Sequence, residues 1–207
     1  MPLKRTAGRI PSPFFVVAVL GVLAVLVFFL ACAAGPPARS AADLTNPALG
    51  PEHSSWLIGP IARIATAEEI RQYLALTDDA QAETFIERFW ASRNPTSGAG
   101  NPLRQAFDER AAQADRQLTE AGFRGRHTDR GSIYILYGPP SQTDHEVSPI
   151  PNGPPIEVWG YTATTPAGLD GKRPQPRYRF IKKGDLTVFY VPGQDPRLRN
   201  RVETPPQ

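Results

Sequence analysis

The chain reads as an α+β protein: helices come first and pack on an antiparallel β-sheet of about four strands, in a single domain. Three observations predict this. Between residues 61 and 138 the only prolines are Pro95 and Pro102, and apolar residues there recur at helical spacing. After residue 130 the pattern changes to short β-branched and aromatic runs. Two of those runs flank Gly184-Asp185, a two-residue hairpin signature.

Each element has its own signal. Thr66 followed by Glu69 is a capping box, opening a short helix through about Leu76. Thr77 with Asp78 and Asp79 starts the next helix, with acids on the positive end of its dipole. Phe85, Ile86, Phe89 and Trp90 form its apolar stripe, and Asn94-Pro95 ends it, because the residue before proline avoids the α region. Asn101 caps a third helix, Pro102 fits its first position, and Gly122 is expected at C′ with Phe123 folding back on Leu118. Arg110 lies on the apolar face of that helix and needs a carboxylate or carbonyl partner, since an unpaired buried charge is costly. Ile133-Tyr134-Ile135-Leu136-Tyr137 is apolar on both faces and is expected as a central strand, ended by Gly138-Pro139-Pro140. Ile156–Tyr161 is expected as a second strand, with Glu157, Trp159 and Tyr161 on one face. Tyr178–Lys182 and Leu186–Val191 form the hairpin. Loops rich in Pro and Gly are expected at 139–155 and 162–177.

The N-terminus is an address. Lys4, Arg5 and Arg9 precede a stretch, residues 10–38, with no charge, and Phe14–Ala34 is an apolar run broken only by Gly21. That is a secretory n-region and h-region, so the remaining chain is expected to be exported. Residues 1–34 are therefore a signal peptide or membrane anchor. Phe29-Leu30-Ala31-Cys32 resembles a bacterial lipobox, and Cys32 is the one cysteine of the chain. Lipidation at Cys32 is favoured over an uncleaved anchor, and both over soluble export. Residues 35–60, with Pro36, Pro37, Pro47, Pro51 and Pro60 among small residues, read as an extended tether. The domain proper is expected at 61–192, with a flexible polar tail at 193–207.

Composition narrows the function. The net charge is +3, but the three N-terminal basic residues carry it, leaving 20 basic against 20 acidic residues in the rest. A neutral body argues against nucleic acid as a partner. A single cysteine rules out an internal disulfide framework and a cysteine-built zinc site. No G-x-S-x-G, P-loop or dinucleotide-binding spacing occurs, so no cofactor is expected.

The most distinctive segment is Gly125-Arg126-His127-Thr128-Asp129-Arg130-Gly131. His127 and Asp129, two apart, can face one side of an extended segment and bind a metal or exchange a proton. On the alternative and favoured reading, Thr128 and Asp129 bond to local backbone N–H groups, the glycines supply unusual dihedrals, and Arg130 pairs with a carboxylate. Asp144-His145-Glu146 is a polar cluster in the 139–155 loop that can join His127 in a His/carboxylate site if the loop folds over the sheet. A solvated loop is the favoured reading. Trp159 and Tyr161 are either an exposed aromatic platform or core packed against the helices, the latter favoured.

These motifs together resemble the GWxTD-domain family of bacterial exported proteins. The matching stretches are Phe85-Ile86-Glu87-Arg88-Phe89-Trp90, Arg93-Asn94-Pro95-Thr96, the helix with Arg110, Thr128-Asp129-Arg130-Gly131, Tyr134 to Pro140, and Glu157-Val158-Trp159 with Tyr161. They span roughly residues 65–192. The naming motif stands here as Gly125-Arg126-His127-Thr128-Asp129, with Arg126 in place of Trp. The resemblance implies fold and exported location, and brings no settled activity. The expected function is a membrane-tethered extracytoplasmic domain that binds another cell-envelope protein through the sheet, the 139–155 loop or the 121–131 turn. An envelope hydrolase or metal-dependent enzyme using His127, Asp129, Asp144 and His145 is the rival.

Overall fold

The domain begins earlier than its proline-rich leading segment suggests. The computed structural model describes residues 40–94 and 100–191. The apolar segment 14–34 with Cys32, Pro95 and the tail 193–207 lie outside the described residues. Residues 35–39 of the expected tether at 35–60 lie outside the described residues, and its remainder is folded rather than extended. From Ala41 onward the described chain is folded, with a 3-10 turn at Ala42–Leu44 and a short helix α1 at Pro51–Ser54. Leu44, Leu49 and Leu57 are buried. Asn46 is 2% exposed, and its Nδ2 donates to the carbonyls of Tyr73 and Leu76, both at 3.0 Å. The prolines stiffen an irregular segment that wraps the helices. An irregular segment buries its leucines without helical or strand period, so pattern reading misses it.

The helices follow. They are α2 (Ile61–Ile64), α3 (Ala67–Leu74), α4 (Asp79–Ala91) and α5 (Pro102–Gln117). The capping box of α3 is formed by Thr66 and Glu69, and Asp78 and Asn101 cap α4 and α5 through their side chains. Trp56 stacks near Tyr73 at 4.8 Å and Phe89 at 5.1 Å, Phe89 meets Trp90 at 5.1 Å, and Trp90 meets Phe107 at 5.0 Å. This aromatic chain ties the leading segment to α3, α4 and α5. Helix α5 stops at Gln117, short of the expected Gly122 ending. Ala121 (φ 50°) and Gly122 (φ 79°) instead form a tight turn, closed by reciprocal Glu120–Phe123 backbone bonds. Phe123 is left 53% exposed.

The expected central strand at 133–137 is a helix, α6 (Asp129–Tyr137). Ile133, Ile135 and Leu136 are fully buried. An apolar run surrounded on all sides has no period, so it cannot distinguish a buried strand from a buried helix. The ends decide: Thr128 caps the N-terminus by accepting the Gly131 N–H, and Gly138 at φ 80° terminates the helix. At that end Arg110 Nη1 donates to the carbonyls of Ile135 and Leu136, both at 3.0 Å. The half-buried charge thus satisfies carbonyls that the last helical turn leaves open.

The sheet has four antiparallel strands in the order β1 (Gln142–Glu146), β2 (Ile156–Gly160), β3 (Arg177–Lys183) and β4 (Leu186–Phe189). The strand count stands, but β1 replaces the expected 133–137 strand and occupies what the sequence suggests is loop. Its residues Gln-Thr-Asp-His-Glu lack apolar alternation because it is an exposed edge, held by backbone pairing such as Thr143 opposite Trp159. The β3–β4 hairpin turns at Gly184, φ 61°. Trp159, Tyr161, Tyr178 and Phe180 join the helix core, while Ile150, Ile156, Val158 and Ile181 form a small second cluster. Among the described residues no helix is long and apolar enough to cross a membrane.

Replacing Arg110→Met removes both hydrogen bonds to the end of α6. The expected loss of stability is about 2 kcal/mol, read as a shift in urea midpoint at constant slope. Arg110→Lys recovers part of it.

Candidate functional site

The segment 125–131 forms one joint between α5, α6 and the sheet. Gly125–His127 is a 3-10 turn, and Thr128 leads into α6. Thr128 Oγ1 donates to the Gly125 carbonyl at 2.8 Å and accepts the Gly131 N–H at 3.0 Å. A Cβ on Gly125 would sit 1.8 Å from the Ala114 carbonyl oxygen, and one on Gly131 would sit 1.7 Å from the Gly125 carbonyl oxygen. Both glycines are therefore required by close backbone approach. Asp129 Oδ2 accepts the Phe189 N–H of β4 at 2.7 Å, a long-range contact where a local one is expected. Burial raises the Asp129 pKa above the usual carboxylate value, against the lowering effect of that bond and of Arg63.

The charged residues of the segment are paired. Arg126 donates its backbone N–H to Asp115 Oδ1 at 2.9 Å and its Nε to Oδ2 at 2.8 Å. Burial pushes the Asp115 carboxyl up, but the bonds from Arg126 outweigh it and hold the pKa below the ordinary value. Arg130 lies between Glu120 and Glu157, with a 3.1 Å contact to each, as its expected carboxylate pairing requires. Glu157 also accepts the Trp159 indole N–H at 2.7 Å. Trp159 and Tyr161 are 5% and 6% exposed, so they are core and the exposed-platform alternative does not hold.

The rival metal set does not assemble. Among the described residues no three His, Cys, Asp or Glu side chains are placed to hold a metal ion. Asp144 and His145 belong to β1, while Asp129 is tied to β4. These are opposite edges of the sheet, three strand intervals or roughly 14 Å apart. Glu146 is taken by Arg179, with contacts of 2.9 and 3.0 Å.

The turn does form one wall of a cavity of about 450 Å³. Its floor is apolar: Trp56, Ile61, Ile86, Trp90 and Phe107 line it. Phe123, Arg124, Arg126 and His127 form the wall, and Glu52 of α1 faces them across the mouth. Burial lowers the His127 pKa, and Arg126 and Arg124 lower it further, while Asp115 partly opposes them. Sequence reading singled out Arg126 and His127 but not Glu52, Trp56 or Phe123. The first two lay in the supposed tether. Phe123 is expected at a helix ending, although a lone aromatic among Gly and Arg is the available signal.

A small α+β domain with a glycine-tight turn clamping a buried helix, and a lined cavity beside that turn, is the class of protein defined here. The chain belongs to the GWxTD-domain family: the family model for the GWxTD domain matches residues 47–168. The match includes most of the wrapped leading segment and stops before β3. No curated protein and no solved structure matches the chain. Within the family motif, Gly125, Thr128 and Asp129 build the joint, and Arg126 occupies the Trp position.

Two outcomes test this account. Gly131→Ala forces a backbone shift and is expected to cost about 3 kcal/mol or more, seen in chemical denaturation. His127 supplies a pH dependence. Its folded pKa lies below the ordinary 6.5, so its contribution to stability is present above 6.5 and is lost as pH falls through the lowered value. The stability of the wild type relative to His127→Asn is expected to decline between about pH 7.5 and 5, measured by urea titration at each pH.

Proposed function

We propose that this protein is a membrane-tethered, extracytoplasmic domain that docks another cell-envelope protein through the cavity beside the 121–131 turn. The observation that carries the reading is the cavity itself, with an apolar floor, arginines and carboxylates around it (Arg104, Arg124, Arg126, Glu52 and Asp108), and an exposed Phe123. Exposed aromatics beside such hollows are characteristic anchors of protein interfaces. The tethering part rests on the basic n-region, the apolar run 14–34 and the lipobox-like Cys32. A lipidated Cys32 would hold the domain at a membrane surface, because two or more acyl chains give stable anchoring.

The test is crosslinking from native membranes with wild type, Cys32→Ala and Phe123→Asp proteins. Mass spectrometry is expected to find acyl chains on Cys32 and one reproducible envelope partner. Phe123→Asp is expected to lose that partner while keeping the wild-type circular dichroism. An unmodified Cys32 overturns the lipoprotein reading, and capture that is indifferent to Phe123→Asp overturns docking at this cavity.

A further inference from the structure

We infer that the cavity takes an acidic–apolar segment of its partner: a bulky apolar side chain in the hollow, flanked by a carboxylate that displaces Glu52 from Arg124. The inference rests on the docking reading above and adds the chemistry of the occupant.

The argument starts from how the cations at the cavity are engaged. Arg126 is fixed from behind by Asp115, through its backbone N–H and its guanidinium. Arg104 is held by both oxygens of Glu87 at 2.9 Å and lies 3.8 Å from Asp108. Arg124 differs. It meets Glu52 through an Nη2–Oε1 contact of 3.4 Å, and the two side chains are 60% and 75% exposed. Such solvated pairs contribute little and exchange readily. They join two distant segments across the cavity mouth, since Glu52 lies on α1 and Arg124 on the 121–131 turn.

Glu52 is thus a carboxylate of the chain's own, already seated where a partner's carboxylate would bind. Beneath it lie the Trp56, Trp90 and Phe107 side chains, which favour an aromatic or long aliphatic group. The cavity is lined by Arg104, Arg124 and Arg126 together with the carboxylates of Glu52 and Asp108. Arg126 stands where the family motif has Trp, so this chain has a guanidinium on the wall in place of an indole. The Arg126 guanidinium is spent on Asp115, so preference for an anionic partner rests on Arg124 and its solvated contact to Glu52.

The test uses the full chain in nanodiscs and two peptides labelled with fluorescein on the N-terminal amine, Gly-Gly-Phe-Glu-Leu-Gly-amide and its glutamine analogue, read by anisotropy. The acidic peptide is expected to bind at least about fivefold tighter. Glu52→Gln removes the competitor and is expected to tighten the acidic peptide by about three- to fivefold, leaving the analogue unchanged. Arg124→Gln is expected to erase the preference, and Phe123→Ala to weaken both peptides. Opposite signs for Glu52→Gln and Arg124→Gln separate ligand exchange from a pair that merely holds the fold, and thermal melts verify that each variant is folded. Equal affinity for the two peptides, weakening by both variants, or no saturable binding below about 1 mM overturns the inference. Partner capture that depends on Phe123 alongside failure of the peptides leaves docking standing without acidic selectivity. Peptide selectivity without partner capture has the reverse meaning.

Discussion

Helix α6 is surrounded on all sides, so neither of its ends can be left to water. At the N-terminus, Thr128 both caps the helix and reaches back to Gly125. At the C-terminus, Arg110 of α5 crosses over to the last carbonyls. Arg110 fixes α5 against α6, and Thr128 ties α6 to the Gly125 turn, whose backbone lies against Ala114 of α5. Asp129, one residue into the helix, then fixes α6 against β4. Most of the arrangement of helices on sheet follows from satisfying one short buried backbone.

The family motif acquires a physical meaning in this light. Gly125 and Gly131 are places where backbone meets backbone with no room for a Cβ. Thr128 and Asp129 are polar side chains spent on main-chain groups. These positions are committed to architecture, and the two residues between Gly125 and Thr128 are left to face the cavity. Arg126, at the Trp position of the motif, is anchored on Asp115 of α5.

The leading segment matters for the same reason. By wrapping the helices it supplies Trp56 to the cavity floor and Glu52 to its mouth. Its closing side is thus built from residues far in sequence from the motif.

The amino-acid sequence by itself determined what depends on neighbours a few residues away. The capping box at Thr66, the caps at Asp78 and Asn101, and the hairpin at Gly184-Asp185 are local chemistry, and each sits where its residues placed it. The need of Arg110 for a partner was equally legible, because burial of a charge demands one. Tertiary structure alone decided the rest. Ile133–Tyr137 became a helix because both states bury that run equally well and only its capped ends discriminate. Gln142–Glu146 became a strand because its pairing lies in the backbone and leaves no trace in side-chain pattern. Residues 41–60 joined the core because irregular chain has no period to read. The cavity, finally, gathers residues from four separate stretches, and no spacing within any one of them encodes that meeting.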